Sequence, residues 1–249
     1  ILSWNVPTLR TVAPYFHEVT DGADVVLLQE IETQDCLDAL AGRLGDDYPV
    51  RVLGEINTPA SVDVAVVARG EVSEVVTHRA DTPLVLQDGS ETTFSRELLE
   101  VRLLFEGRPV VVVNAHFKSK SNDDPPRRLA EAQATREILM GIVTAQPGAV
   151  VVLGGDLNDT PSSETLLALE GDGGLFRAAS VLPPGADWTY LWQGSAQAID
   201  HLYYATGSAG ALVEDSVEIM RDKDGAWGGS DHAAVRARFQ LPAQAIARP

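Results

Sequence analysis

Short apolar runs that end in polar residues are the feature that most restricts how this chain can fold. The polar clusters, in chain order, are Trp4-Asn5, Gln29-Glu30, Asn114-Ala115-His116, Gly155-Asp156-Leu157-Asn158 and Ser230-Asp231-His232. A folded protein ordinarily keeps carboxylates and imidazoles out of its core. Their repeated placement where strand-like segments end therefore predicts that several strand ends converge on one polar site, and such sites are typically functional.

Apolar periodicity predicts strands and helices that alternate along the chain. Strand-like patterns cover residues 25–28, 62–68, 98–105, 110–116, 150–153, 199–204, 217–220 and 233–239, and the chain begins inside an apparent strand at residues 1–4. Helical spacing covers 33–44 and 126–143, and the segment 160–164 is typical of the start of a third, shorter helix. Strands of mixed spacing with interspersed helices indicate two packed sheets that are covered by helices on the outside.

Length and composition indicate one domain that covers residues 1–249. A chain of this size with 45% hydrophobic residues can bury one large core, and no linker-like shift in composition divides it. None of its apolar runs approaches the roughly 18 residues that cross a membrane. We expect a monomer without a membrane-spanning segment.

The formal net charge of −17 restricts the choice of partners. Such a charge repels a polyanion over the Debye length, and the chain lacks the broad basic surface of a typical nucleic-acid binder. This argues against tight, nonspecific DNA binding. It does not exclude a nuclease, because a divalent metal ion and a few local Arg or Lys side chains can reverse the field inside a cleft.

Several well-known catalytic and nucleotide-binding motifs are missing from the sequence. There is no Gly-x-Ser-x-Gly elbow, no P-loop, no Gly-x-Gly-x-x-Gly fingerprint and no zinc-type spacing of Cys and His. Acyl transfer and nucleoside-triphosphate chemistry therefore lose support.

The segment that follows residues 150–153 carries two oxygen-bearing side chains two residues apart. Gly154 and Gly155 let the backbone bend and approach a ligand closely, so that Asp156 and Asn158 project from one side of the turn. An ordinary Asx turn that closes a strand is the alternative interpretation.

Other clusters add ligands of the kind that hard cations prefer. Asn5 and Glu30 each follow a strand-like run, and their oxygens suit Mg²⁺, Mn²⁺ or Ca²⁺ rather than zinc. His116 and His232 lie on separate strands, and Asp200 is a candidate carboxylate to fix the tautomer of one ring and raise its basicity. Carboxylates, amide oxygens and two imidazoles around such a cation are typical of phosphate-ester hydrolysis.

Taken together, the clusters resemble the motifs of the endonuclease/exonuclease/phosphatase superfamily. They occur in that family's order and span nearly the whole chain, as Trp4-Asn5, Leu28-Gln29-Glu30, Asn114-Ala115-His116-Phe117-Lys118-Ser119, Gly155-Asp156-Leu157-Asn158, Ile199-Asp200-His201 and Ser230-Asp231-His232. The resemblance implies an α/β fold of a specific kind. This fold is a four-layer α/β sandwich with two central mixed β-sheets flanked by helices, and with a metal site at one sheet edge.

The same resemblance implies which residues form the metal site. Asn5 and Glu30 would lie at the metal, with Asp231 as a further ligand. The cation would be Mg²⁺ or Mn²⁺, with Ca²⁺ as another candidate. His232 would be a general base or a phosphate contact, and Asp200 would hold its ring.

The resemblance also implies roles at the reacting atoms. His116 would stabilise the transition state or act as general acid, while Asp156 and Asn158 would orient the attacking water and the scissile phosphate. Whether Asp156 or His232 takes the proton from that water is left open. The family usually pairs the first histidine with a carboxylate from a neighbouring strand, for which Asp63 is the candidate.

A contact with the substrate phosphate is expected from the segment Phe94-Ser95-Arg96-Glu97. This segment is similar to one in pancreatic-type deoxyribonucleases, where the arginine meets a substrate phosphate. Arg96 is therefore the candidate phosphate clamp. The alternative is a surface salt bridge with Glu97 or Glu100.

Two further groups of residues are candidates for the border of the cleft. Lys118 and Lys120 would add positive potential there, with Lys118 as a candidate for substrate binding, or are solvated loop lysines. Trp188, Tyr190 and Trp192 alternate along a short segment, which favours either stacking of a base or sugar at the cleft rim or simple core packing.

The sequence thus favours a Mg²⁺- or Mn²⁺-dependent phosphodiesterase that acts on a phosphate-ester substrate, with a nuclease acting on DNA or RNA ranked first. The chain lacks the motifs of several specialised branches of the superfamily. It therefore resembles the broad bacterial group of extracellular or general endonucleases and phosphodiesterases, and this resemblance favours a secreted or extracytoplasmic location. One alternative is a phosphatase or phosphodiesterase acting on a small or lipid-derived phosphate ester, and the charge of −17 favours it. A catalytically inactive binding module is another, although the retained histidines and carboxylates argue against it.

Overall fold

A computed structural model describes residues 1–6, 8–57, 62–221 and 227–243 of the chain. The strands, in chain order, are Leu2–Asn5 (β1), Val25–Ile31 (β2), Val50–Gly54 (β3), Asp63–Ala68 (β4), Glu71–Thr77 (β5), Leu84–Val85 (β6), Glu91–Thr92 (β7), Leu99–Phe105 (β8), Arg108–His116 (β9), Val150–Asp156 (β10), Leu175–Arg177 (β11), Tyr190–Trp192 (β12), Ser195–Gln197 (β13), Asp200–Ala205 (β14), Ala211–Met220 (β15) and Ala234–Gln240 (β16). The α-helices are Leu9–Val12 (α1), Phe16–Thr20 (α2), Gln34–Ala41 (α3), Pro125–Ala145 (α4) and Glu164–Glu170 (α5). Short 3₁₀ turns cover Gly42–Leu44 and Ala178–Val181.

Two six-stranded mixed sheets form the centre of the protein. Sheet 1 has the order β15-β16-β1-β2-β4-β3, and sheet 2 has the order β11-β14-β10-β9-β8-β5. In each sheet one pair of central strands is parallel, β1 with β2 and β9 with β10. The pairs β6–β7 and β12–β13 form separate hairpins.

Alternation along the strands divides the apolar side chains among three hydrophobic layers. Leu27 of β2 and Val112 of β9 belong to the cluster between the two sheets. Leu28, one residue on, points to the other face of sheet 1 and packs with the residues of α1, α2 and α3. Val113 does the same on sheet 2, against α4 and α5. The layers are therefore helix, sheet, sheet and helix, which confirms the predicted four-layer sandwich with two mixed sheets.

The predicted helices begin at residues that satisfy their first backbone N–H groups. Thr33 Oγ1 accepts a hydrogen bond from Cys36 N at the start of α3, and Asp124 and Ser163 accept equivalent bonds at the starts of α4 and α5. The interval 33–44 is divided into α3 and a 3₁₀ turn, and α4 extends slightly beyond the predicted 126–143.

Several elements were not predicted, and each lacks the pattern on which the prediction depends. Strand β5 lies at the edge of sheet 2 and is exposed along nearly all of its length, so it shows no alternation of apolar and polar residues. Helices α1 and α2 have four and five residues, too few for a helical period. Strand β15 is longer than the predicted 217–220, because its register shifts between Val213 and Glu218 at polar residues.

The register of sheet 2 aligns three of the predicted site residues. Asp156 at the end of β10 lies beside His116 on the parallel strand β9 and beside Asp200 on the antiparallel strand β14. In sheet 1, Asn5 at the end of β1 lies beside Gln29 of β2. Because side chains at paired positions point to the same face of a sheet, the strand ends form one polar edge.

The two glycines before Asp156 serve the close packing of the protein itself, and β10 continues through them to Asp156 instead of bending towards a ligand as expected. A Cβ atom on Gly155 would lie 1.9 Å from the carbonyl oxygen of Ala115 on the neighbouring strand. A Cβ atom on Gly154 would lie 2.5 Å from a methyl carbon of Leu27 on the facing sheet. Larger residues at either position would push β10 away from its neighbours.

Asn114 is a buried polar link between the two sheets rather than a site residue. Its Nδ2 donates to the carbonyl oxygens of Leu28 at 2.9 Å and Ala65 at 2.8 Å, both on sheet 1. Its Oδ1 accepts a hydrogen bond of 2.8 Å from Gln29 Nε2. One side chain on β9 therefore satisfies three polar groups in a region without solvent access.

We expect Asn114→Ala to lower the free energy of unfolding by about 3 kcal/mol or more, because buried partners left unpaired each lose about 1–3 kcal/mol. Urea denaturation followed by far-UV circular dichroism measures the change. Ser73→Ala, which removes an exposed hydrogen bond to the carbonyl oxygen of Arg102, should stay within about 0.5 kcal/mol of the parent. Equal effects of the two substitutions would contradict the linking role of Asn114.

Candidate active site

Asp156 occupies the centre of the polar edge. Its Oδ1 accepts a hydrogen bond of 2.9 Å from the backbone N–H of Asn158, and its Oδ2 accepts one of 3.1 Å from Asn5 Nδ2. The same Oδ2 lies 3.7 Å from His116 Nε2. Burial, reinforced by the nearby charge of Asp200, raises the pKa of Asp156 well above its usual range. The carboxyl group is therefore poised to hold a proton or to pair with a cation.

Glu30 is directed at the same place by an irregularity in β2. The pairing with β4 shifts between Gln29 and Ile31, so Glu30 is the extra, bulged residue, and its φ is +64°. Its Oε1 lies 3.4 Å from Asn5 Nδ2, and its side chain is half-buried at the cleft. Burial raises the pKa of Glu30 above the usual value. A non-glycine residue in this conformation is strained by about 1–2 kcal/mol, as is typical of functional sites.

The strain at Glu30 predicts that stability and site function can be separated. We expect Glu30→Asn to keep or slightly raise the free energy of unfolding, because Asn tolerates positive φ, while Glu30→Val should lower it by about 1–3 kcal/mol. Both variants lack the carboxylate and should lose hydrolytic activity alike. Urea denaturation of the pair measures the difference, and equal stability of the two would contradict the backbone strain assigned to this position.

His232 is held rigidly by Asp200 and by its own backbone. Its Nδ1 lies 2.8 Å from Asp200 Oδ2 and 3.1 Å from Oδ1. Its N–H donates to Ser230 Oγ, and its carbonyl accepts a bond from Trp4 Nε1. Burial alone would lower the pKa of His232, but the charge of Asp200 and the hydrogen bond with it outweigh burial and raise the pKa to about 10. The ring is therefore an imidazolium at neutral pH.

His116 has the opposite protonation state. Burial lowers its pKa well below the usual value, with further lowering by the charges of Arg96 and His232, so the ring is neutral at neutral pH. The expected pairing with Asp63 is wrong for the described residues. Asp63 Oδ1 accepts instead from Ile56 N at 3.2 Å, and among the described residues no carboxylate is hydrogen-bonded to His116 Nδ1.

Arg96 is close to the site and does not form the alternative surface salt bridges. Its Nη1 donates to the carbonyl oxygen of Phe117 at 3.1 Å, and the charges of Glu131, Asp156 and Glu30 act on its guanidinium. Glu97 Oε1 accepts hydrogen bonds from three backbone N–H groups, those of His78, Arg79 and Leu98. Glu100 is occupied by His78 and Arg102.

Glu131 of α4 is a site-supporting residue that the sequence did not reveal. It is fully buried, and its two oxygens accept from Ser95 N at 2.6 Å and Lys118 N at 2.7 Å. It thereby joins the segment that carries Arg96 to the segment that follows β9. A glutamate within an amphipathic helical pattern gives no sign of such a contact, because the sequence does not show which loops pack against that helix.

Lys118 does not reach the cleft, which corrects its assignment as a substrate-binding residue. Its ammonium group donates to the carbonyl oxygens of Ser119 at 2.9 Å and Ser121 at 2.7 Å. Lys120 lines the cleft instead, and its Nζ lies 3.3 Å from Asp159 Oδ1. A loop has no regular side-chain periodicity, so the sequence could not distinguish the two lysines.

The cleft next to these side chains has a volume of about 570 Å³. It is lined by Glu30, His116, Ser119, Lys120, Ser121, Asp156, Asn158, Tyr190, Trp192, Gln197, Ile199 and His232. Tyr190 packs on His232, with ring centroids 4.7 Å apart. Trp188 belongs elsewhere, under the guanidinium of Arg221 at 4.2 Å. The aromatic segment therefore has two of its three rings at the site.

The sequence model of the Endonuclease/Exonuclease/phosphatase family matches residues 2–232. The chain belongs to this family. Family members are phosphoric ester hydrolases and generally depend on divalent metal ions. No curated protein sequence matches the chain significantly.

Solved structures of this family share the fold at low sequence identity. A humanized D. rerio TDP2 with 14 mutations is 18% identical, with a TM-score of 0.70 over 96% of this chain and 97% of the other. The human Nocturnin catalytic domain with a bound sulfate anion is 16% identical, with a TM-score of 0.69 over 97% and 93%. Beta toxin from Staphylococcus aureus is 19% identical, with a TM-score of 0.64 over 95% and 98%. The described residues include no helix that is long and apolar enough to cross a membrane.

Two groups of residues offer ligands for the divalent cation that the family generally uses. Asp156, Asp200 and His232 have ligand atoms within 4.8 Å of one another, but Asp200 and His232 are already bonded to each other. On the other side of Asp156, Asn5 Oδ1 is buried and has no partner among the described residues, and Glu30 faces the cleft. An unpaired amide oxygen beside carboxylates destabilised by burial is the environment that a hard cation would relieve.

Asp231 is more exposed than Asn5 and Glu30, the other two predicted metal ligands. It is exposed, and its charge raises the pKa of Glu30, so it lies within electrostatic range of the same point. Of the predicted site residues, the structure brings Asn5, Glu30, Asp156, His116 and the Asp200–His232 pair into one contiguous group.

Proposed function

We propose that this protein is a divalent-metal-dependent phosphodiesterase, and that its substrates are nucleic acids or nucleotide diesters. The supporting observation is the group of oxygen ligands and two imidazoles at the floor of the cleft, in which Asp156 bonds to Asn5 and lies beside His116, and Asp200 bonds to His232. Phosphate-ester hydrolysis requires neutralisation of charge on the phosphate and a positioned water, and this group has the residue types for both.

The unpaired oxygen of Asn5 and the carboxylate of Glu30 would hold Mg²⁺ or Mn²⁺, with Asp231 as a further ligand from the solvent side. When bound, the cation would supply charge neutralisation at the phosphate oxygens. Ca²⁺ would also accept this set of oxygen ligands, but its looser geometry makes it the weaker candidate for catalysis.

The remaining roles follow from the hydrogen bonds at each ring. Asp200 occupies Nδ1 of His232, so the Nε2–H of the imidazolium is the atom that donates to a phosphate oxygen. With protons on both ring nitrogens His232 has no free lone pair, and Asp156 would then be the group that takes the proton from water. His116 is neutral and stabilises the developing charge as a hydrogen-bond donor, while Asn158, anchored by Nδ2 to the carbonyl of Phe117, and Arg96 orient the phosphate.

A nucleic-acid substrate ranks above a small or lipid-derived ester. One D. rerio TDP2 structure of the same fold, at 18% identity and a TM-score of 0.69, is a complex with a single strand DNA product. The net charge of −17 supports the alternative of a small ester, since it weakens attraction to long polyanions. A binding module without turnover is the least supported alternative, because every reactive group is retained.

Hydrolysis of plasmid DNA, a single-stranded oligonucleotide and bis-p-nitrophenyl phosphate with Mn²⁺ tests the proposal. Cleavage of nucleic acid that EDTA and the His116→Ala and His232→Ala variants abolish would support it. Activity confined to the small ester would favour the alternative substrate class. Absence of metal-dependent hydrolysis of all three would leave the binding module.

A further inference from the structure

The β12–β13 hairpin carries an aromatic surface that the catalytic roles above do not use. Strand alternation puts Tyr190 and Trp192 on one face of β12 and Leu191 on the other. Tyr190 and Trp192 line the cleft, together with Gln197, which pairs with Tyr190 across the hairpin. We refer to Tyr190, Trp192 and Gln197 as the hairpin wall.

Trp192 lies outside the hydrophobic core of the described part of the protein. The residue is 54% exposed, and it belongs to none of the three hydrophobic clusters. Single exposed aromatic residues on a convex surface need no explanation, but an exposed indole in the wall of a concave site is typical of ligand contact. The surrounding cleft would bury the indole only when a ligand occupies it.

The hairpin is fixed relative to the catalytic group. Ala233 N donates to the carbonyl of Thr189 at 2.8 Å, and Thr189 N donates to the carbonyl of Gln197 at 2.9 Å. The turn residues Gln193 and Gly194 have φ of +48° and +80°, the pattern of a tight two-residue hairpin turn. Trp192 therefore lies one pleat, about 7 Å, beyond the tyrosine that packs on His232.

Charges in the cleft limit how a substrate can be held. Apart from the histidines, its charged lining residues are Glu30, Asp156 and Lys120, and Lys120 is paired with Asp159. Binding of a duplex depends on many contacts between basic residues and phosphates, which such a lining cannot supply. Base stacking on an aromatic ring does not depend on net charge and contributes about 1–3 kcal/mol per base.

We propose that the hairpin wall is a subsite for an unstacked nucleobase, with Trp192 as its stacking platform and the Gln197 amide facing the base edge. The substrate is then a nucleotide diester or the end of a single strand, because a base inside a duplex would first have to leave its stack. This inference rests on the proposed phosphodiesterase function and specifies its substrate class.

The first test compares thymidine 5′-(p-nitrophenyl phosphate) with methyl p-nitrophenyl phosphate, which share a leaving group and differ in the base and sugar. We expect Trp192→Ala to lower the ratio of their kcat/KM values about ten-fold, within the range of a lost stacking contact. Trp192→Phe should keep most of the ratio, and Leu191→Ala, on the other face of the strand, should keep all of it. An unchanged ratio in Trp192→Ala would overturn the proposal.

Binding without turnover gives a second readout. We expect dTMP to quench tryptophan fluorescence in the wild type and in Leu191→Ala, and ribose 5-phosphate to have no such effect. Quenching by dTMP that persists in Trp192→Phe would place the base elsewhere and overturn the proposal. If neither ester is hydrolysed, the proposed catalytic function fails, whereas the dTMP titration still decides whether a base occupies the hairpin wall.

Discussion

Asp200→Asn should lower kcat for phosphodiester hydrolysis by about 10³-fold without preventing folding, because a misoriented or uncharged catalytic imidazole typically loses 10²–10⁴-fold in rate. Asp200 is buried and lies 2.8 Å from His232 Nδ1. The amide keeps the shape of the carboxylate but removes the charge that maintains the imidazolium. Steady-state kinetics with Mn²⁺ measure the loss.

The pH dependence of this variant distinguishes the two roles that the sequence left open for His232. Burial lowers the pKa of His232, and the charge of Asp200 is the largest of the effects that together outweigh burial and raise it. Without Asp200 the pKa falls, so the ring of the variant should lose its proton at a lower pH than the ring of the wild type. Acidification from about pH 8 to about pH 6 should therefore restore the imidazolium and raise the ratio of variant to wild-type kcat. A ratio that falls on acidification would identify His232 as the base that takes the proton from water.

Asp187→Asn is the matched control for this experiment. Asp187 forms a salt bridge of 3.0 Å with Arg177 and is not among the residues that line the cleft. The same chemical change there should leave kcat within about two-fold of the parent, as for surface substitutions away from a site. A comparable loss in both variants would indicate a general effect on folding.

Removal of the divalent cation is the second change for which we expect a very large effect. EDTA should lower hydrolysis by more than about 10³-fold, since a catalytic cation contributes several kcal/mol of charge stabilisation. Mn²⁺ or Mg²⁺ should restore it. Because the cation would bind the folded state, it should also raise the free energy of unfolding, by about 2.7 kcal/mol at a concentration one hundred times Kd.

Glu30→Gln should abolish both the activity and the stabilisation by Mn²⁺, because the carboxylate at the cleft is replaced by a neutral amide. Glu32→Gln is the control, since Glu32 is exposed and two residues away along the chain. Thermal denaturation with and without Mn²⁺ measures the stabilisation independently of turnover. Stabilisation by Mn²⁺ that is unchanged in Glu30→Gln would place the cation away from Asn5 and Glu30.

Strand periodicity predicted the sheets because each central strand has to be apolar on both faces in a four-layer sandwich. Residues 110–116 and 150–153 have the pattern of buried strands, and β9 and β10 of sheet 2 are buried between sheet 1 and helices α4 and α5. Edge strands such as β5 have no such requirement, so their sequences carry no comparable pattern.

Most members of the candidate site could be predicted because they end central strands at the same edge. Residues whose roles depend on contacts between distant segments could not. Glu131 bonds to two loops from a helix, and Asn114 crosses between the sheets, although each looks ordinary within its own segment. Trp188 and Trp192 were indistinguishable in the sequence, yet one packs under Arg221 and the other lines the cleft.

The sequence by itself determined the order of strands and polar clusters, because periodicity and spacing are local properties of the chain. The resemblance of those clusters to known motifs then indicated the family and the layered fold. Only the tertiary structure decided where side chains point. The bulge that aims Glu30 through a φ of +64° and the pairing of Asp200 with His232 depend on neighbouring strands. Protonation also depends on the tertiary structure, since burial and nearby charges lower the pKa of His116 and raise that of His232.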